Sequence, residues 1–428
     1  MPHDGDQTGT SRRSPRFDLS WINRDGWLLI VARFIQSLAR GSMVVFLAIY
    51  LSLQGLSAPQ IGLFFTFGLI GATVFAFILA LKGDRLGRRR VMVFFSVAAG
   101  TLGFALFAIN DVFSLMLFSF VGSLAIGGAG GDPLAVLERA ALPETCPPEK
   151  RTDLFAINSI ARSSGSAIGA LAGALPLLLQ GSFGVGEVDS YKPVMLGYGC
   201  IMLLSALLYK ALSPKIEIAK APQWVNPVTL PHRGVIFRLS GLFALDSFGH
   251  GLVLESLVSL WFHERHGLEL GSIALIWFGW NVITSMSYWI AARVAARIGH
   301  INTIVFAHIP SNLLLVLLPF APTAWVAVLL WQVRAFFQLM DSPVRNSYIV
   351  AIVPSEERVA MSAYTSISQT GARSIAPTIA GILWRVGSTS VPFISAGILR
   401  VIYDLLLWYQ FHDLQTDEEK AKEERKQT

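Results

Sequence analysis

Gly83-Asp84-Arg85-Leu86-Gly87-Arg88-Arg89-Arg90 stands between two apolar blocks, residues 59–81 before it and 91–109 after it. Gly87 permits a tight turn. Asp84 suits a helix N-terminus, where negative charge is favoured. Arg85 and Arg88 can pair with an acid such as Glu138 at the near end of a later block. A short charged turn between blocks of about 20 apolar residues reads as a loop joining two membrane-crossing helices.

Outward from this loop the pattern repeats. Apolar spans run over 27–53, 59–81, 91–109, 112–141, 153–179 and 194–212, then over 234–262, 271–295, 301–320, 324–352, 359–384 and 391–411. Between the two sets lies 213–233, with Pro214, Pro222, Pro227 and Pro231, a poor helix and a natural linker. The chain therefore divides into a polar N-terminal tail (1–26), a first six-helix bundle (27–212), a linker (213–233), a second bundle (234–411) and a C-terminal tail (412–428). Charged residues make up 14% of the chain, against about 25% in soluble domains. Helices are required because a lipid-facing backbone must satisfy its own hydrogen bonds, and the spans lack the alternation of a β-barrel.

The net charge of +6 does not signal nucleic acid, since the basic residues sit in short gaps between spans. Most fall on one side, which the positive-inside rule assigns to the cytoplasm together with both termini and the linker. The tail lacks the cleavage pattern of a secretory signal. Two cysteines, Cys146 and Cys200, cannot build a disulfide framework or a metal cluster. No phosphate-binding glycine loop, H-E-x-x-H zinc site or nucleophilic triad is present, so no enzyme, metal or cofactor is expected.

The two halves resemble each other. Arg85-Leu86-Gly87 and Arg297-Ile298-Gly299 follow the second and eighth spans, and Gly55-Leu56 and Gly267-Leu268 precede them. Such a repeat is a transporter layout with a site between the halves. The loop itself resembles the signature of the major facilitator superfamily, a glycine, three residues, then Asp-Arg-x-Gly-Arg-Arg. The match covers Asp84, Arg85, Gly87, Arg88 and Arg89, with Ala80 in place of the leading glycine. The resemblance implies an all-α membrane protein of twelve helices in two pseudo-symmetric bundles. It also implies a conformational latch at Asp84, Arg85, Gly87, Arg88 and Glu138. The plainer alternative is that these arginines only enforce topology.

Gly165, Gly169 and Gly173 in the fifth span partly match the antiporter motif of drug exporters, with Ala170 and Ala174 where that motif has proline and glycine. The alternative is a small-residue stripe for tight helix contact.

Ionisable groups inside spans default to function. Arg40, Arg162, Asp246, His250 and Arg373 fall near span centres. Asp132 and Asp341 lie nearer the cytoplasm, and Glu255 and Arg334 nearer the outside. Asp246 and His250 share a helical face, as do Arg33 and Arg40. Substrate contacts are expected from Arg40, Gln36, Arg162, Asp246, His250, Asn281, Arg334, Gln338 and Arg373. Proton coupling is expected from Asp132, Asp246, His250, Glu255 or Asp341. The alternative is that each charge is neutralised in a permanent pair.

The resulting expectation is a monomeric secondary transporter in a cell inner membrane. It is driven by an ion gradient, carries a small anionic or amphipathic organic solute, and runs towards export. Import of an organic anion or nutrient, or a transport-dead receptor on the same fold, are the competing readings.

Overall fold

The computed structural model describes residues 19–109, 111–122, 134, 137–138, 141–147, 150–216, 231, 233–298, 300–338 and 358–411. Among them the regular structure is helical. In the N-terminal half stand α1 (Arg24–Leu53), α2 (Ala58–Leu86), α3 (Arg88–Ala108), α4 (Val112–Gly122), α5 (Arg151–Ala172), α6 (Leu175–Phe183) and α7 (Lys192–Lys210). In the C-terminal half stand α8 (Arg233–Leu252), α9 (Glu255–His266), α10 (Leu270–Ile298), α11 (His300–Leu317), α12 (Ala324–Gln338), α13 (Arg358–Val386) and α14 (Val391–Phe411). Eight spans among the described residues are long and apolar enough to cross a bilayer, and two more apolar helices are shorter.

The expected turn in the opening loop is present but narrower than the charge run. α2 continues through Leu86, Gly87 takes φ 79°, and α3 starts at Arg88. Two expected spans are each split. The span 153–179 breaks between α5 and α6, where Pro176 has no N–H to donate and its ring would crowd the Ala172 carbonyl. The span 234–262 breaks at Val253 and Leu254, where Leu254 is extended, and α9 restarts with Glu255 in its first turn. A discontinuous helix beside ionisable groups is a recurrent feature of transporter sites.

The glycine stripe is a packing surface. α5 lies against α1, and a methyl group on Gly169 would come within 2.0 Å of the Leu38 carbonyl oxygen. On Gly165 it would meet the Phe34 carbonyl at 2.4 Å. Backbones this close exclude any side chain. Gly169→Val is therefore expected to leave no monodisperse protein after detergent extraction. A normal size-exclusion profile would contradict this packing.

Two ends of the bundle differ. Where α1 stops and α2 begins, one apolar core crosses both halves, from Met43–Leu51 on α1 through Leu257–Phe262 on α9 to Trp277 and Ala380. Here Ser259 Oγ donates to the Val44 carbonyl at 2.8 Å. Thr378 Oγ1 donates to Thr66 Oγ1 at 2.8 Å, and Thr73 and Ser374 hydroxyls meet at 3.0 Å. At the opposite end each half has its own core. One gathers Leu29, Ile30, Phe95, Leu137 and Tyr209, the other Ile236, Phe243, Met361, Tyr403 and Leu407. Among the described residues the molecule is sealed at one end and divided at the other.

Candidate functional site

α12 supplies the centre of the site. Arg334 is 3% exposed, and its guanidinium carbon lies 4.8 Å from the Trp331 ring centroid and 5.6 Å from that of Trp280. The two indoles stack on each other at 4.7 Å. No carboxylate among the described residues pairs with Arg334, and its buried Nε has no hydrogen-bond acceptor there. Electron-rich ring faces stabilise a cation by roughly 2 kcal/mol when both are desolvated. They supply no acceptor for its N–H groups.

One turn along α12, Gln338 brings Nε2 to 3.4 Å from Nε2 of His250 on α8. Arg373, Arg400, Asp246 and Arg334 all act electrostatically on His250. After the break between α8 and α9, Glu255 lies in the fields of Arg373 and of Arg162 from the other half. The close packing of α8 on α13 explains part of this gathering, since a methyl on Gly251 would come within 2.7 Å of the Arg373 carbonyl. The structure thus brings Arg162, His250, Glu255, Arg334, Gln338 and Arg373 into one charged neighbourhood. Its named members are three guanidiniums, one carboxylate, an imidazole and an amide.

Other expected site residues are placed elsewhere. Asp246 has an ionic partner on another helix. It accepts from Arg400 Nε at 2.9 Å, with both side chains buried. Gln36 is fully buried in the N-terminal half and donates to the Tyr209 hydroxyl at 2.7 Å. Asn281 donates to the Trp277 carbonyl and faces a cleft of about 400 Å³ between α5 and α10, with Ser163, Ser164 and Ser285. Arg40 is partly exposed on α1 and is engaged by neighbouring groups. Asp132 and Asp341 lie outside the described residues.

Part of the expected latch lies among the described side chains. Glu138, expected opposite Arg85 and Arg88, pairs with Arg33 at 2.6 Å and accepts a short hydrogen bond from Tyr209. Arg88 reaches Glu144 and the Ile216 carbonyl, at 3.3 and 3.4 Å. The side chains of Asp84 and Arg85 lie outside the described residues.

A second buried polar group escaped the sequence reading. On α14, Asp404 accepts from Asn312 Nδ2 at 2.8 Å and meets His308 Nδ1 at 3.1 Å, both on α11, and all three are 0% exposed. Arg400 lies one turn before Asp404. The signal was available: 400 and 404, and 308 and 312, are i, i+4 polar pairs inside apolar spans, the spacing that singled out Asp246 and His250.

A family model described as Major Facilitator Superfamily matches residues 29–340. The uncharacterized membrane protein YJR124C of Saccharomyces cerevisiae is 25% identical over 91% of this chain and 94% of its own length. Among solved structures, the nucleoside transporter NupG superposes with a TM-score of 0.71 at 13% identity, covering 91% of this chain and 99% of that one. The human organic anion transporter MFSD10 superposes with a TM-score of 0.63 at 14% identity, covering 90% and 99%. At these identities the structural matches carry the fold alone.

Proposed function

Because the chain belongs to the major facilitator superfamily and is a transporter rather than an enzyme, we propose that it carries a small organic anion across the bilayer by alternating access, coupled to protons. The observation that carries this reading is Arg334, a buried guanidinium packed against two stacked indoles with no carboxylate of its own among the described residues. A buried cation is costly unless an anion completes it, and a carboxylate or phosphate matches the guanidinium fork. Arg400 adds to the positive field at Arg334, and His250 and Gln338 offer hydrogen bonds one turn along α12. Trp280 and Trp331 fix the guanidinium so that little entropy is lost when the anion arrives.

With the basic loops on the cytoplasmic side, the divided end faces the cytoplasm and the sealed end faces outwards. The reading carries no direction of net flux, because the glycine stripe that suggested export is accounted for by the contact of α5 with α1. Glu255, Asp246 and His250 remain the proton-coupling candidates within the described residues.

The test is flux in proteoliposomes against a panel of radiolabelled aromatic and aliphatic carboxylates, with a neutral sugar as control. Loss of the Arg334 N–H contacts to an anion corresponds to about 1.5–3 kcal/mol. Arg334→Gln is thus expected to lower carboxylate flux about 10- to 100-fold. Arg334→Lys should also fall, since it keeps the charge but loses the fork and the ring contact. Carboxylate flux that is unaffected by Arg334→Gln would remove the anion reading.

A further inference from the structure

We propose that the His308–Asp404 pair, outside the substrate site, is a proton-binding site linked to that site through Arg400 and Asp246. The proposal rests on the transporter reading only for the use made of the proton, not for its presence.

The contacts of Asp404 decide the matter. Its two oxygens meet an imidazole at 3.1 Å and an amide at 2.8 Å. Neither brings a positive charge unless His308 holds an extra proton. Arg400, one turn earlier on the same helix, has its Nε committed to Asp246 at 2.9 Å. A carboxylate that is 0% exposed and, among the described residues, touches no fixed cation is several kcal/mol out of place. A proton shared between Asp404 and His308 removes that cost.

Among the described residues the surroundings supply no other cation in contact. From α14 come Arg400 and the Tyr403 ring, whose centroid is 6.2 Å from that of His308. From α8 comes Asp246, which with Arg400 acts electrostatically on Asp404. From α12 comes Arg334, directed at Trp280 and Trp331. The described side chains of α10 include no charged group. Arg373 reaches this group through Asp246, on the side of the substrate site.

Arg400 links the two sites. A methyl on Gly249 would come within 2.8 Å of Arg400 Cγ, so α8 rests on the arginine stem one residue from His250. Movement of α8 around a bound substrate changes how firmly Asp246 holds Arg400. Arg400 released from Asp246 takes over neutralisation of Asp404, and the proton leaves His308. Arg400 returned to Asp246 requires the proton again. Each transfer moves one proton between the pair and water, with no other bond made or broken.

The experiment is a pH series of spectra from protein labelled with nitrogen-15 at histidine. The His308 resonance is identified by its loss in His308→Gln, and no substrate is needed. In the parent protein this imidazole is expected to pass between charged and neutral forms as pH rises. In Asp246→Asn, Arg400 is free to neutralise Asp404, so the change is expected about one pH unit or more lower. In Asp404→Asn no carboxylate requires the proton, and His308 is expected to stay neutral throughout. A His308 signal that is neutral at every pH in the parent protein overturns the proposal. A midpoint that neither substitution moves does so as well. Failure of the carboxylate flux assay with these shifts intact would instead count against the transporter reading alone.

Discussion

Arg400→Met is expected to destabilise the protein by about 3–5 kcal/mol, the cost of leaving a buried carboxylate without its partner. Arg400 is 1% exposed and Asp246 is 3% exposed, so water cannot replace the lost N–H contact at 2.9 Å. The combination Asp246→Leu with Arg400→Met removes both charges and keeps apolar volume. It is expected to recover most of the loss, because a buried pair and its apolar replacement are often close in stability. The measurement is thermal unfolding in detergent of the two single variants and the double variant. Strict additivity of the single effects would mean that the two residues do not act on each other.

The second large effect is expected at the sealed end. A methyl group on Gly62 would lie 2.2 Å from the Pro377 carbonyl oxygen, and one on Gly381 would lie 2.3 Å from the Ala58 carbonyl oxygen. Both contacts join α2 to α13, one from each half. Gly62→Leu and Gly381→Leu should hold that end apart and stop transport. The bundles themselves should survive, since each half keeps a core at the divided end. Labelling of Thr66→Cys by a membrane-impermeant maleimide, with Cys146 and Cys200 replaced by serine, reads the seal. Reaction should be slow in the parent and fast with Gly62→Leu. Unchanged labelling would show that the seal tolerates the added bulk.

The architecture was legible because lipid imposes a single rule on the backbone. Blocks of apolar residues about as long as the hydrocarbon is thick must be helices, and the Gly83–Arg90 loop fixed their family resemblance. Breaks inside spans were less legible. Pro176 signals one, while Gly249 and Gly251 weaken the helix before Val253 and Leu254 without marking where it stops. The charge clusters were half legible. Sequence shows which ionisable residues lie inside spans but not which helices touch, so Asp246 was placed with His250 on its own helix. Its partner, Arg400, is 154 residues away. The Gln36 contact was hidden for the same reason, since only the approach of α7 reveals Tyr209 as its acceptor. Arg334 was found as a charge, while its setting against the stacked Trp280 and Trp331 needs the contact of α10 with α12.

The seal has a thermodynamic consequence. The hydrogen bonds that close it, Ser259 to Val44 and Thr378 to Thr66, join neutral groups beside a continuous apolar core. Mobile ions screen charges and leave such contacts almost untouched. Opening this end to water hydrates apolar surface and so raises the heat capacity. The balance between open and closed forms should therefore curve with temperature and stay nearly flat with ionic strength. A carrier gated in this way keeps its cycle in media of different salinity and adjusts its rate chiefly to warmth.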